Sequence, residues 1–217
     1  MGTHRTCMRD QVRDAIVSKI LDGTYAPGTR LKELVVAREL NVSQAPVREA
    51  FRELAVLGLV ETEHYRGTRV RGINLQELRE AYELRLAIEE ASARRAPPPS
   101  DADLKYLEAD IEAMTAAARL QNVDAYLSAV VDFHRRIVQM SGNSLFLRAW
   151  EHMAWDIRAR FAARRIRGIG LYDPTRARIV AALRKGDREQ AARLVREIIE
   201  GLLAHIDRFE SDEHAAA

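Results

Sequence analysis

A change of pattern at Gly72 limits the folds open to this sequence, because it separates a mixed segment from a wholly helical one. Before Gly72, the spacing of apolar residues and the β-prone runs predict three helices followed by a two-stranded hairpin. These elements are expected at residues 9–21, 31–40, 43–57, 59–63 and 68–71. We therefore predict two domains, residues 1–72 and residues 73–217.

The segment after Gly72 predicts an antiparallel bundle of about six helices joined by short connections. Asn74 to Glu77 has the pattern of a capping box, and the helix that it opens must end before the three prolines at 97–99. The other helices are expected at residues 101–120, 123–140 and 144–165, and in two runs between Asp173 and Phe209. The predicted fold class is therefore mainly α.

Composition favours a helical chain that needs neither disulfides nor a membrane. Aromatic residues make up 6% of the chain, which is little for a β-rich fold. Cys7 is the only cysteine, so intramolecular disulfides and cysteine-based zinc sites are excluded. Charged residues recur too often for a spanning helix, and the first ten residues lack the apolar run of a secretory signal. We expect a soluble, cytoplasmic protein with no membrane partner.

The net charge of +2 does not by itself indicate a nucleic-acid partner. Residues 1–72, however, contain twelve basic and nine acidic residues, so the rest of the chain carries a net charge of −1. Three helices and a hairpin within about seventy residues are typical of a winged helix-turn-helix, whose third helix enters the major groove of DNA. The order of elements therefore predicts DNA binding where the total charge does not.

Ordered motifs within this first domain resemble those of a known family. They are Pro27-Gly-Thr-Arg-Leu31, Val42-Ser-Gln-Ala-Pro-Val-Arg-Glu-Ala50, Leu54, Gly58-Leu-Val60, Arg66-Gly67 and Val70. In this order and spacing they resemble the GntR family of bacterial transcription regulators. The resemblance implies a homodimer that binds a double-stranded DNA operator, with the protein's two-fold symmetry matching two operator half-sites.

The third predicted helix carries residue types that read DNA. Ser43, at its start, can cap the helix or contact a phosphate. Gln44 and Arg48 are four residues apart and share a face, where glutamine can pair with adenine and arginine with guanine. Lys32 and Arg52 are expected to contact phosphates.

The hairpin tip adds three candidates, since His64, Arg66 and Gly67 can approach the minor groove or its phosphates. The family usually has arginine at the position of Gln44, so the operator sequence stays open. The alternative for the third helix is an ordinary solvated face, on which charged residues pair with one another at i,i+4 spacing.

The segment from Asn74 resembles the FCD ligand-binding domain of the FadR subgroup of the same family. The motifs are Tyr82-Glu-Leu-Arg-Leu-Ala-Ile-Glu89, Phe133-His134, Ser141-Gly-Asn143 and Ile179-Val-Ala-Ala-Leu183-Arg-Lys-Gly-Asp187. This resemblance implies a helical bundle that binds a small-molecule effector and takes part in dimerisation.

Many FCD domains bind a divalent metal through an aspartate and a histidine one turn apart and two later histidines. His134 fills the first histidine position, but the other three positions hold Val130, Arg176 and Ile198. One ligand of four cannot build a zinc site. We predict no metal cofactor; the alternative is a rearranged site that uses His152 or His205.

The candidate effector-binding residues are Arg85, His134 and Arg176. The family often has an arginine near the effector at the position of Arg85, and a guanidinium can bind a carboxylate through two parallel hydrogen bonds. Arg176 would supply the positive charge that a metal would otherwise provide. The alternatives are that Arg85 pairs with Glu89 or with Glu83 of a neighbouring subunit, that Arg176 is solvated, and that His134 is a hydrogen-bonded core residue.

These features predict a sequence-specific transcription regulator, a repressor whose operator binding is modulated by a small carboxylate metabolite. The alternatives are a DNA-binding protein without an effector and a regulator that responds to acyl thioesters. The sequence contains no nucleophile elbow, phosphate-binding loop or paired-histidine metal motif. We therefore expect no enzymatic activity.

Overall fold

The structure, a computed structural model, describes residues 7–63, 67–71, 74–165 and 174–216. It divides into two compact units, Met1–Asn74 and Leu75–Ala217. The division falls two residues after Gly72, where the sequence pattern changes. Each unit buries its own set of apolar side chains.

The first unit contains three helices and a three-stranded antiparallel sheet. The elements are α1 (Met8–Leu21), β1 (Arg30–Leu31), α2 (Glu33–Glu39), α3 (Gln44–Val56), β2 (Val60–Glu63) and β3 (Gly67–Val70). The sheet has the order β1-β3-β2. The sequence predicted only the β2–β3 hairpin, because a strand of two residues is too short to show an alternating pattern.

Helix α3 is fixed by one apolar face. Its buried residues are Val47, Ala50, Phe51 and Leu54, whose spacing places them on one side of the helix. This side packs against α1, whose buried residues are Val12, Ile16 and Val17. The opposite side of α3 is exposed. Asn41, with φ of 53°, forms the left-handed turn that ends α2 and redirects the chain into α3.

The second unit contains seven helices in its described part. They are α4 (Leu75–Arg95), α5 (Asp101–Arg119), α6 (Val123–Met140), α7 (Ser144–His152), α8 (Trp155–Arg165), α9 (Thr175–Arg184) and α10 (Arg188–Ala216). Helix α4 packs against α6 and α10, and α5 packs against α6 and α9. Ser100 and Asp103 form a reciprocal capping box at the start of α5. The predicted fold class, a winged helix-turn-helix followed by a helical bundle, is confirmed.

One predicted helix, at residues 144–165, is wrong. The chain leaves the helix after His152, and Ala154 adopts a left-handed conformation with φ of 48° before α8 begins at Trp155. In a continuous helix, five residues of separation would place Trp150 and Trp155 about 140° apart around the axis. The break instead brings their ring centroids within 6.3 Å of each other. Neither glycine nor proline marks the break, so the sequence pattern gave no sign of it.

Candidate nucleic-acid interface and ligand cavity

The exposed side of α3 carries the residues that the sequence predicted to read DNA. Gln44, Arg48 and Arg52 are all exposed and lie on successive turns of the helix. Ser43 has the backbone conformation of an N-cap, but its hydroxyl accepts no capping hydrogen bond. The capping role predicted for Ser43 is therefore wrong, and its exposed side chain stands at an N-terminus whose free N–H groups attract anions.

Arg48 forms its ion pair with a residue outside α3. Its Nη2 atom donates to Glu33 Oε2 at 2.7 Å, and its Nε atom lies 3.0 and 3.1 Å from the two Glu33 oxygens. Glu33 begins α2, so the pair connects the two helices of the helix-turn-helix. The hydrogen bond from Arg48 lowers the pKa of the Glu33 carboxyl, which keeps both groups charged at neutral pH. More than half of the Arg48 side chain, 53%, is exposed.

The sheet adds basic residues that sequence reasoning missed. Arg30 on β1 and Arg69 on β3 are opposite each other in the antiparallel register, and both are exposed. Glu61 on β2 is opposite Arg69 on its other side, so this row of the sheet carries two positive charges and one negative charge. The alternation of buried Thr68 and Val70 around Arg69 could have identified Arg69 from the sequence. Arg30 could not be identified in this way, because the β1–β3 pairing was not predicted.

The remaining DNA-binding candidates lie around the same sheet. Lys32 is exposed between β1 and α2. Gly67 is exposed at the start of β3, has φ of +84°, and lies close to the Arg30 guanidinium. His64 and Arg66 fall outside the described residues.

The second unit contains a cavity of about 330 Å³ that five helices line. Arg85 and Arg176 both line it and are only 2% and 6% exposed. The alternative that Arg176 is solvated is therefore wrong. Among the described residues, the lining comprises Tyr82, Arg85, Tyr126, Leu127, Val130, Ala159, Ala162, Ala163, Thr175, Arg176, Glu197, Ile198, Gly201, Leu202 and His205.

Arg85 is held from two directions. Its Nε atom donates to Glu89 Oε1 at 2.7 Å, which is the i,i+4 pair that the sequence offered as an alternative to effector binding. Its guanidinium carbon lies 4.9 Å from the ring centroid of Trp155 and 5.6 Å from that of Tyr82, which are cation–π distances. Arg85 therefore belongs both to a buried ion pair and to the cavity wall.

Glu89 connects Arg85 to two further side chains. Trp150 Nε1 donates to Glu89 Oε1 at 2.7 Å, and His134 Nδ1 lies 2.6 Å from Glu89 Oε2. Burial raises the pKa of the Glu89 carboxyl, but the Arg85 charge and the hydrogen bonds from His134 and Trp150 outweigh burial and lower that pKa to about 2. Glu89 is therefore ionised at neutral pH. Trp150 and Trp155 are both buried, and their polar and cation–π contacts in this cluster do not follow from helical spacing.

His134 is neutral in this cluster. It is fully buried, and burial lowers its pKa to about 4 despite the opposing effect of the Glu89 carboxylate. A neutral imidazole beside an ionised carboxylate donates through Nδ1, which leaves Nε2 as an acceptor. Within the described part of the chain, Nε2 has no hydrogen-bond partner. The structure places Arg85 and Arg176 in the cavity lining but gives His134 the position of a hydrogen-bonded core residue.

The cavity does not offer a set of metal ligands. Val130 and Ile198, which occupy two of the family's metal-ligand positions, present aliphatic side chains to the cavity. His134 Nδ1 is engaged with Glu89, and His205 Nδ1 lies 2.8 Å from a main-chain oxygen of its own helix. Among the described residues, no three histidine, cysteine, aspartate or glutamate side chains converge as metal ligands would. The residues present do not fit a bound metal.

Each of the two units matches a known protein family. Residues 8–70 match the model of bacterial regulatory proteins of the gntR family, and residues 80–201 match the model of the FCD domain. No helix in the described ranges is long and apolar enough to span a membrane.

Similar proteins include curated regulators and solved structures. The chain is 36% identical to the probable D-xylose utilization operon transcriptional repressor of Paenarthrobacter nicotinovorans, over 86% of this chain and 83% of that protein. It is 35% identical to the HTH-type transcriptional repressor RspR of Escherichia coli K12, over 69% of this chain and 62% of that protein. A crystal structure of a GntR transcriptional regulator from Rhodococcus sp. RHA1 is 25% identical, with a TM-score of 0.72 over 91% of this chain and 96% of that one. The chain therefore belongs to the gntR family of bacterial transcription regulators and carries an FCD domain.

Proposed function

We propose that the chain represses transcription by binding an operator as a homodimer and that a small carboxylate in the FCD cavity changes its affinity for that operator. Two of its similar proteins are named as transcriptional repressors, which supports repression as the sign of regulation. We also propose a cytoplasmic location, where both DNA and small metabolites are accessible. The observation that carries DNA binding is the exposed side of α3.

Helix α3 suits the recognition role because its buried side fixes its orientation while its other side remains exposed. Gln44 and Arg48 share that side with Arg52, and their side chains can form bidentate contacts with base edges in the major groove. Arg48 keeps a charged, mostly exposed guanidinium. We assign base reading to Gln44 and Arg48, and phosphate contact to Ser43 and Arg52.

The sheet supplies the second contact surface. Arg30 and Arg69 place two positive charges side by side on its exposed face, and Lys32 follows directly after β1. Their charges suit the phosphate backbone, which supplies much of the affinity for DNA but little of the specificity. We include Gly67, which begins β3, in the same surface, and we include His64 and Arg66 because they lie between β2 and β3 in the sequence.

The cavity suits an anion because two buried guanidinium groups, those of Arg85 and Arg176, line it. A guanidinium can bind a carboxylate through two parallel hydrogen bonds, and such charge-assisted hydrogen bonds are stronger than neutral ones. This arrangement supports a carboxylate effector that binds without a metal.

Operator binding tests the first part of the proposal. An operator would be selected from a random duplex library, and its affinity measured by fluorescence anisotropy at fixed salt. Replacement of Arg48 by alanine should weaken binding to the operator about 5- to 150-fold, because a bidentate base contact is lost. Arg119→Ala, which removes an exposed arginine from α5, is the control and should leave affinity unchanged. Wild-type affinity in Arg48→Ala would remove Arg48 from the recognition surface.

Carboxylate binding tests the second part. A ligand at 100 times its dissociation constant stabilises a protein by about 2.7 kcal/mol, so a thermal-shift screen of small carboxylates should find stabilising compounds. The Arg176→Gln variant should lose that stabilisation while retaining operator affinity. A stabilising compound that acts equally on wild type and Arg176→Gln would place the effector site elsewhere.

A further inference from the structure

One residue of the cavity lining, Gly201, has no side chain. It lies on α10 one helical turn from Glu197 and one from His205, and all three residues line the cavity. We propose that Gly201 is a specificity-determining residue: the part of the effector beyond its carboxylate lies against the bare backbone at this position, and the missing side chain sets the width of molecule that the cavity accepts. This inference rests on the proposed carboxylate-responsive function and adds a residue that selects among carboxylates.

The backbone of α10 does not require glycine at this position. Gly201 lies near the middle of a helix of 29 residues. Six of the seven described glycines have a positive φ, at which glycine is favoured, and Gly201 is the exception. In a helix interior, alanine is about four- to fivefold more favourable than glycine. Gly201 therefore weakens α10 without a conformational reason.

Close packing does not require glycine here either. Apart from its chain neighbours and the nearby backbone of α10, a Cβ at position 201 would meet no described atom within 4 Å. His205 Nδ1 lies 2.8 Å from the Gly201 main-chain oxygen, but the His205 side chain stays beyond 4 Å from that Cβ position. The glycine therefore leaves open space beside a residue that lines the cavity.

Gly201 lies at the open end of the cavity. Most of the described lining residues are buried, including Arg85 and Arg176, whereas Glu197 and Gly201 are the exposed ones among them. Glu197 and Gly201 are four residues apart, so they lie on the same edge of α10. With its carboxylate at the buried arginines, an effector would extend toward this edge.

Small residues on a second helix also line the cavity, but they are packed differently. Ala159, Ala162 and Ala163 share one face of α8, and the first two are only 5% and 3% exposed. Longer side chains at the buried alanines would displace packed atoms. Position 201 can be enlarged into open space, so a substitution there changes the room for the ligand without disturbing the core.

The stability of the free protein and its affinity for the ligand should respond to this substitution in opposite directions. Gly201→Ala should raise the melting temperature of the free protein by roughly 2–4 °C, because alanine favours the helix. The same variant should weaken carboxylate binding about two- to tenfold, and Gly201→Leu about 5- to 150-fold, because the added carbons occupy the space of the ligand. Differential scanning calorimetry and isothermal titration of the full chain give the two measurements.

The probes are butyrate, hexanoate, benzoate and gluconate, which share one carboxylate and differ in width and hydroxylation. Gly201→Leu should lose more affinity for benzoate than for hexanoate, because a ring is wider than an alkyl chain. Ala204→Leu is the control, since it adds bulk at an exposed position of α10 outside the described lining. It should bind each acid as wild type does. All three variants should retain operator affinity in the absence of acid.

The outcomes distinguish this inference from the function on which it rests. If Gly201→Leu binds the acids as tightly as wild type while Arg176→Gln does not, the inference is overturned and carboxylate sensing stands. Equal losses in Gly201→Leu and Ala204→Leu would also overturn it, because the loss would then come from α10 and not from the space for the ligand. Equal losses for benzoate and hexanoate would overturn the role of Gly201 in setting width. If none of the acids binds to a wild-type protein that still binds its operator, both this inference and the carboxylate-responsive function are overturned.

Discussion

Two arginine–glutamate pairs of equal length lie in opposite environments in the two units of this chain. In the first unit, Arg48 and Glu33 meet at 2.7 Å with side chains that are 53% and 32% exposed. In the second unit, Arg85 and Glu89 also meet at 2.7 Å, but their side chains are 2% and 0% exposed. By distance alone, the two ion pairs are equivalent. Because only the first pair is exposed, its arginine can exchange its carboxylate partner, whereas the buried arginine cannot.

The exposed pair can exchange partners because water already competes for both charges. Such pairs contribute little to stability, so Arg48 can leave Glu33 for a base or a phosphate at small cost. The buried pair behaves differently, since removal of either partner leaves the other charged and without water. Glu89 is further fixed by Trp150 and His134. Arg48 can therefore move toward a ligand, whereas a ligand must come to Arg85.

The largest effect that tests this comparison should come from Glu89→Gln. The variant keeps the shape of the side chain but removes the charge, and an uncompensated buried arginine should lower stability by about 3–5 kcal/mol. For a chain of this size, the melting temperature should fall by roughly 6–20 °C. Differential scanning calorimetry at pH 7 gives the measurement.

Glu33→Gln is the matched control for that loss. It makes the same chemical change in the exposed pair, and its melting temperature should fall by no more than about 2–4 °C. Equal losses in the two variants would show that burial does not distinguish the pairs.

The sequence predicted the exposed side of α3 but not the partner of Arg48. Helical spacing was enough to place Val47, Ala50 and Phe51 inside and Gln44 outside, because one helix determines its own faces. The contact between Arg48 and Glu33 depends on the turn between two helices. The spacing of residues within either helix gives no information about the angle between the two helices.

The cavity was harder to predict for a related reason. The i,i+4 pair of Arg85 and Glu89 follows from one helix and was among the interpretations of the sequence. The contacts of Glu89 with Trp150 and His134, and of Arg85 with Trp155, join three other helices. They also depend on the interruption of the helix at Ala154, which neither glycine nor proline marks in the sequence.

The next largest effect should be a pH dependence of stability that arises from His134 in the buried cluster. The pKa of His134 is lowered from 6.5 to about 4 in the folded chain. As pH falls from about 6.5 to 4, the unfolded chain therefore binds a proton that the folded chain does not, and stability falls. The loss should be on the order of 1–3 kcal/mol and should be absent in His134→Gln, which can still donate to Glu89.

Other groups shape the same pH window, so the comparison must be made between variants. Burial raises the pKa of Asp110 from 3.8 to about 6, so this carboxyl favours the folded state increasingly as pH falls from 6 to 3.8. The contribution of Asp110 opposes that of His134, but it is the same in wild type and in His134→Gln. His152→Gln, which makes the same substitution at an exposed histidine, is the matched control. A His134→Gln profile identical to that of wild type would show that His134 is not held neutral.

The smallest effect should come from Glu33→Gln on DNA binding. With Glu33 neutral, Arg48 no longer leaves an ion pair when it meets a phosphate, so affinity for a duplex of unrelated sequence should rise about two- to fivefold. Affinity for the operator should rise by the same factor or less, so specificity should not improve. Anisotropy measurements at fixed salt detect such a change. Glu49→Gln makes the same charge change on the exposed surface of α3 and measures the effect of net charge alone.

A double-mutant cycle tests whether the gain in DNA affinity of Glu33→Gln depends on Arg48. In an Arg48→Ala background, Glu33→Gln should raise DNA affinity by no more than the Glu49→Gln control does, because the arginine that pairs with Glu33 is absent. If Glu33→Gln gives the same gain with and without Arg48, Glu33 acts only through net charge. The exposed pair would then be a surface contact without a role in DNA recognition. A gain that disappears with Arg48 would show that Glu33 restrains the recognition arginine until DNA replaces it.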